Sequence, residues 1–229
     1  MNYIPYIDLY AHSEGNESDI VSVTAIFPGD PIPEFTGRNF YCTGLSPSYL
    51  QDKDKNNELL QMTEDALEFD HIIFVGSCGL DKNAVSGIDE QLRVFEAQAI
   101  MAEEYQKPLF LKYVGSYREI IEIYNRVCPS QPWILHDYNG NPETTSQFLK
   151  KNFLFSFGND LLNAGRDLQQ IFFEMPKEKI FLETNELNGD VSLIYYKGAE
   201  IKDIPDEDMK LIVWNNFNRL ENVSFNNLA

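Results

Sequence analysis

The side chains best suited to bind a metal, move a proton or attack an electrophile fall where short apolar runs end. Ile72-Ile73-Phe74-Val75 opens into Gly76-Ser77-Cys78-Gly79-Leu80-Asp81, and Leu109-Phe110-Leu111 opens into Lys112. Ile134-Leu135 runs into His136-Asp137, and Phe181-Leu182 runs into Glu183-Thr184-Asn185. Near the start, Ile7-Asp8-Leu9-Tyr10-Ala11 precedes His12, and Tyr41-Cys42-Thr43 precedes Gly44-Leu45-Ser46. His12 and His136 could share one divalent ion, with water or Glu14 completing its shell. Two histidines alone make a poor site, because catalytic zinc usually takes three protein ligands plus water. Cys78 has no activating histidine near it in sequence, so packing is the expected role of its thiol. A Ser77–Lys112 pair would have the parts of a serine–lysine nucleophile, although nothing in the sequence brings the two together. The favoured reading of Lys112 is an ion-paired ammonium at a strand end, and anion binding is the alternative. His71 begins an apolar run and is given no site role. Tyr10, Tyr113 and Tyr138 stand at strand ends and are candidates to line a pocket.

The elements that must position these residues alternate short apolar runs with longer amphipathic ones, a pattern of βα units and a parallel sheet. Strands are expected at residues 3–9, 20–27, 40–43, 72–75, 108–111, 133–135, 153–157 and 180–182. Eight is the strand count of a (β/α)₈ barrel, and there chemistry gathers at the C-terminal ends of the strands. Helices are expected at residues 57–69, 89–106, 117–126, 142–150, 161–174, 191–202 and 206–220. Leu92, Phe95, Ala99 and Ala102 form a core-facing stripe on the second of these. Only Ser13-Glu14-Gly15-Asn16-Glu17-Ser18 joins the first two strands. Parallel neighbours normally need a longer crossover. The first βα unit is therefore expected to be reduced, with its two strands distorted or antiparallel. No linker or repeat divides the chain, so residues 1–229 are expected to form a single barrel domain of the α/β class.

Hydrophobic residues make up 43% of the chain, enough for a folded core. There is no long apolar run and no basic-then-apolar leader, so a cytoplasmic protein with no membrane span is expected. The three scattered cysteines read as reduced thiols. The net charge of −18 repels phosphate backbones, so nucleic acid is not an expected partner unless divalent cations offset that field.

The ordered strand-end motifs resemble the TatD family of metal-dependent hydrolases (TatD-related DNases). Gly76-Ser77-Cys78-Gly79-Leu80-Asp81 is similar to the family's Gly-Glu-x-Gly-Leu-Asp, whose Glu bridges two metal ions; Ser77 stands there. Ile7-Asp8-Leu9-Tyr10-Ala11-His12 resembles Asp-Thr-His-x-His, with Tyr10 replacing the first histidine and His12 keeping the second. Gly44-Leu45-Ser46-Pro47 is similar to Gly-Ile-His-Pro, with Ser46 at a substrate-facing position. Lys112 stands where a ligand histidine is expected, and His136 keeps one. Leu182-Glu183-Thr184-Asn185 resembles Leu-Glu-Thr-Asp, with Asn185 replacing the Asp that binds metal and handles the nucleophilic water. Phe155-Ser156-Phe157-Gly158 and Asn216-Phe217-Asn218-Arg219-Leu220 match further family signatures.

The resemblance runs from Tyr3 to Leu220. It implies a TIM-type barrel and ancestry in metal-assisted hydrolysis of phosphate esters. It also implies that, of six metal ligands, only His12 and His136 remain, at positions that bind different metals. The replacements remove two negative charges and add one positive charge, which disfavours two dications. Lys112 is then expected to fill the vacated space and pair with Asp81, Asp137 or Glu183. The expected cofactor is none, with one divalent ion (Zn, Mn or Mg) as the alternative. The expected partner is an unidentified small molecule or phosphoester. Function is expected to be that of a degenerate hydrolase homologue, and the alternative is a hydrolase with one metal or a remodelled site. Ser77 and Asn185 mark the substituted catalytic positions, and Tyr10, Ser46, Lys112, Asp81 and Asp137 are the expected pocket.

Overall fold

A computed structural model of the chain describes residues 4–11, 19–185 and 189–220. Strands β1 (Tyr6–Ala11), β2 (Ile20–Ile26) and β3 (Asn39–Thr43) come first, followed by α1 (Lys53–Ala66) and β4 (Ile72–Asp81). Next come α2 (Ile88–Glu104), β5 (Leu109–Val114), α3 (Tyr117–Val127), β6 (Trp133–Leu135) and α4 (Pro142–Leu149). The chain continues through β7 (Phe153–Phe157), α5 (Arg166–Glu174), β8 (Ile180–Leu182), α6 (Val191–Lys202) and α7 (Asp206–Phe217). The eight strands lie side by side in chain order, and a parallel bridge from Ala11 to Asn185 joins β1 to the residue beyond β8. This is the order of a (β/α)₈-type barrel.

β1 and β2 are parallel, with Tyr6 opposite Ile20 and a register shift between Asp8 and Ala11. The expected distortion is present, and the antiparallel alternative is overturned. The physical reason is reach. A stretch from Ala11 to Ile20 can extend about 30 Å, and a six-residue strand is only about 20 Å long. The connection is therefore long enough for a parallel return. The expected reduction of the first βα unit falls on residues 12–18, outside the described residues.

The contacts group the chain into two compact units. One comprises Met1–Thr24, Thr36–Phe40 and His136–Ala229; the other comprises Ala25–Phe35 and Tyr41–Leu135. In the first, Phe157 packs edge-on against Phe172 and Tyr138 edge-on against Phe155. The buried Tyr195 hydroxyl accepts from Ile7 N at 3.0 Å and donates to Ile7 O at 2.9 Å, fastening α6 to β1. In the second unit, Phe74 of β4 stacks on Phe110 of β5, and Phe95 of α2 meets Trp133 of β6 edge-on.

Three boundaries differ from expectation for identifiable reasons. β4 continues through Asp81 instead of ending at Val75. Gly76 (φ 141°) and Gly79 (φ 132°) let it lie against β5 where a side chain would collide: a Cβ at Gly79 would sit 1.8 Å from Lys112 O. α1 begins at Lys53 because the Asp52 carboxylate accepts from Asp54 N and Lys55 N, capping the helix earlier than expected. α5 begins at Arg166, because residues 159–161 form a separate 3₁₀ turn ahead of Gly165.

Candidate functional site

In the first unit the strand ends bring a buried acid–histidine cluster together. His136 follows β6 directly, Glu183 follows β8, and both are buried. His136 Nδ1 lies 3.5 Å from Glu183 Oε1. That same oxygen accepts from Asp137 N at 2.8 Å, while Glu183 Oε2 is buried with no hydrogen-bond partner among the described residues. Asp137 reaches this geometry with a left-handed backbone, φ 49°. The Tyr10 ring packs beside the His136 ring at 5.0 Å, so the phenol occupies space next to the imidazole.

Asp8 lies in β1 beneath this group. Its carboxylate accepts from Thr184 N at 2.9 Å and from Thr184 Oγ1 at 2.6 Å, so one acid orients the backbone beyond β8. Burial pushes the Asp8 carboxyl up to about 6, against the pull of the two Thr184 bonds. Asn159 Nδ2 holds the carbonyl of Thr184 from the other direction at 2.7 Å. Asn185 follows with φ 58° and forms the bridge to Ala11. The turn beyond β8 is thus held at successive residues, and it ends in a neutral amide. The Tyr138 hydroxyl bonds to Thr145 Oγ1 at 2.7 Å, which commits it to α4 and removes it as a pocket-lining candidate. His12 and Glu14 lie outside the described residues.

In the second unit, β4 and β5 carry the remaining positions. Ser77 is half-buried and Lys112 is exposed, with Gly79 of β4 opposite Lys112 in register. Cys78 is fully buried; its Sγ points to Phe110 O at 3.4 Å, and burial pushes its thiol well above the usual range. A thiolate nucleophile at Cys78 is therefore unfavourable, as the sequence reading expected. Ser46 Oγ contacts Ser48 Oγ at 2.7 Å, and the Asp81 carboxylate accepts from Asn83 N. His71 bonds to Pro33 O and packs against Phe35 and Tyr41, at the N-terminal end of β4 rather than at the C-terminal ends where the candidate residues lie.

Two buried glutamines on α2 hold these strand ends, and the sequence reading missed both. Gln98 accepts from Leu45 N at 2.7 Å and donates to Leu45 O at 3.1 Å, fixing the turn before Ser46. Gln91 does the same for Asp81 N and O at 2.8 and 3.0 Å. The two are seven residues apart, two helical turns, on the face that also buries Val94, Phe95, Ala99 and Ala102. Leu92, expected on that face, is only half-buried. Sequence reasoning gave no role to Asp8 or Thr184, although both stand inside the strand-end motifs that carry the family resemblance. No group of three or more His, Cys, Asp or Glu side chains among the described residues is arranged to hold a metal ion.

The family model for TatD-related DNases matches residues 32–222. The chain belongs to that family. An uncharacterized metal-dependent hydrolase of Bacillus subtilis, YabD, is 22% identical over 183 residues, which cover 73% of this chain and 72% of that protein. The 3′–5′ ssDNA/RNA exonuclease TatD of Citrobacter koseri is 26% identical over 118 residues, half of this chain and 45% of that enzyme. The crystal structure of the Escherichia coli TatD homologue YJJV superposes with a TM-score of 0.79 at 17% identity, covering 96% of this chain and 99% of that one. The barrel inferred from the strand-end motifs is therefore the fold of this TatD-family chain.

Proposed function

We propose that this TatD-family chain keeps the scaffold of a metal-dependent hydrolase but no longer cleaves phosphodiesters with two metals, and that it acts as a binding or interaction module in the cytoplasm. The observation that carries this reading is chemical. The two positions where the family resemblance sets a bridging Glu and a water-handling Asp hold Ser77 and Asn185, and a ligand histidine position holds Lys112. Two dications in one site require anionic ligands to offset their mutual repulsion. A hydroxyl, an amide and an ammonium do not fit them. Asp8 does not make up the deficit, because both of its oxygens are held by Thr184. With a net charge of −18, nucleic acid has no compensating cation to approach. A small molecule is the better partner class.

A second reading, hydrolysis with one metal or a remodelled site, draws on Glu183. Its Oε2 is buried without a hydrogen-bond partner among the described residues, beside His136. A buried acceptor left unmatched is expensive, and a single Zn, Mn or Mg ion would match it. One experiment separates the two. The protein is incubated with Mn²⁺ or Zn²⁺, passed through gel filtration and analysed for metal, and the same material is assayed on 3′-ended single-stranded DNA and on phosphodiester esters. The degenerate reading expects no metal above a buffer control and no turnover. Retained metal with turnover lost on Glu183→Gln would establish the second reading instead.

A further inference from the structure

The second unit carries a groove whose lining includes none of the candidate site residues named above. It lies between the chain following β2 and the helix α1, with a cavity volume of about 220 Å³. Ile26, Ile32, Met62 and Phe69 supply apolar walls, and Phe69 remains 46% exposed although its ring is large. Gly29 shapes one side: it has φ 95°, and a Cβ there would fall 2.9 Å from Met62 Sδ, so any larger residue would push the Met62 wall.

Two features point to an occupant. Thr43, at the end of β3, lines the groove and is fully buried, yet its Oγ1 has no hydrogen-bond partner among the described residues. Buried hydroxyls are ordinarily bonded, and one left unmatched signals a missing partner. Asp30 and Asp65 also line the groove and are exposed, while no lysine or arginine among the described residues does. An apolar pocket with a few convergent polar groups is the usual form of a small-molecule site. Here those groups are one inner hydroxyl and two outer carboxylates. We propose that this groove binds a small primary ammonium compound carrying an apolar ring or chain, with its body between Met62 and Phe69 and its ammonium donating to Thr43 Oγ1 while facing Asp30 and Asp65.

The test uses three probes with one body and different charge: cyclohexylmethylammonium, cyclohexylmethanol and cyclohexanecarboxylate. The full chain is labelled with ¹³C-methyl methionine, and the Met62 resonance is followed through each titration. Saturable movement is expected with the ammonium, about fivefold weaker binding with the alcohol, and none with the carboxylate. In the Asp30→Asn, Asp65→Asn double variant the preference for the ammonium over the alcohol should disappear. Thr43→Val should weaken the ammonium about tenfold while leaving the unfolding midpoint equal or higher, because it removes an unmatched hydroxyl. A Met62 resonance unmoved by all three probes overturns the proposal. So does equal binding of the alcohol or the carboxylate, or an ammonium preference that survives in the double variant.

Discussion

A buried carboxylate that a single residue holds on both oxygens has a measurable signature. The Asp8 carboxyl is raised from 3.8 to about 6 by burial, so the folded protein binds its proton more tightly than the unfolded chain does. Stability from this group is fully present below about pH 4 and is lost as pH rises through about 6. A rise of that size corresponds to about 3 kcal/mol. Asn can replace Asp8 without breaking either contact: its oxygen accepts from Thr184 N, and its amide donates to Thr184 Oγ1 once that hydroxyl turns. Urea unfolding of Asp8→Asn and of the native chain at pH 4, 5, 6 and 7 should therefore show the variant gaining relative to the native chain across that window. Parallel pH profiles would show that Asp8 does not titrate there. This residue was not legible as important, because an acid flanked by Ile7 and Leu9 gives no sign that its partner is a threonine 176 positions away.

At the scale of elements, the strands were readable, β6, β7 and β8 to the residue, while the C-terminal ends of β4 and β5 were not. Apolar runs bounded by Gly, Asn and Pro located all eight strands, because burial on both faces leaves a continuous hydrophobic signal. The path of β4 past Val75 was hidden, since glycine usually reads as a break. Here Gly76 and Gly79 are the means by which two backbones approach. Gly79→Ala combines a φ of 132° with a Cβ 1.8 Å from Lys112 O. It is expected to cost more than about 4 kcal/mol, read as loss of soluble protein or a collapse of the thermal midpoint. A folded variant within about 1 kcal/mol of the native chain would contradict the close approach of β4 and β5. The glutamines of α2 were hidden for a different reason: amides read as surface residues, yet Gln91 and Gln98 are buried because strand-end backbones satisfy them. The candidate site was legible only as positions. Which groups meet at those positions depends on pairings such as Glu183 with Asp137 N that no local pattern encodes.

For the whole molecule, family membership and the strand-end substitutions lead to one engineering test. Tyr10→His, Ser77→Glu, Lys112→His and Asn185→Asp together should confer Mn²⁺ retention through gel filtration, read by elemental analysis. A folded quadruple variant that retains none would mean that the motif positions have been assigned to the wrong residues. The bonds of β1 carry a further consequence, this time for biosynthesis. Asp8 waits for Thr184, and the backbone of Ile7 waits for Tyr195, 188 residues downstream. Ala25–Phe35 and Tyr41–Leu135, by contrast, are complete as soon as residue 135 has left the ribosome. During translation the second unit can therefore consolidate early. The opening strand is left with an acid and a backbone edge whose partners arrive only when the last third of the chain emerges.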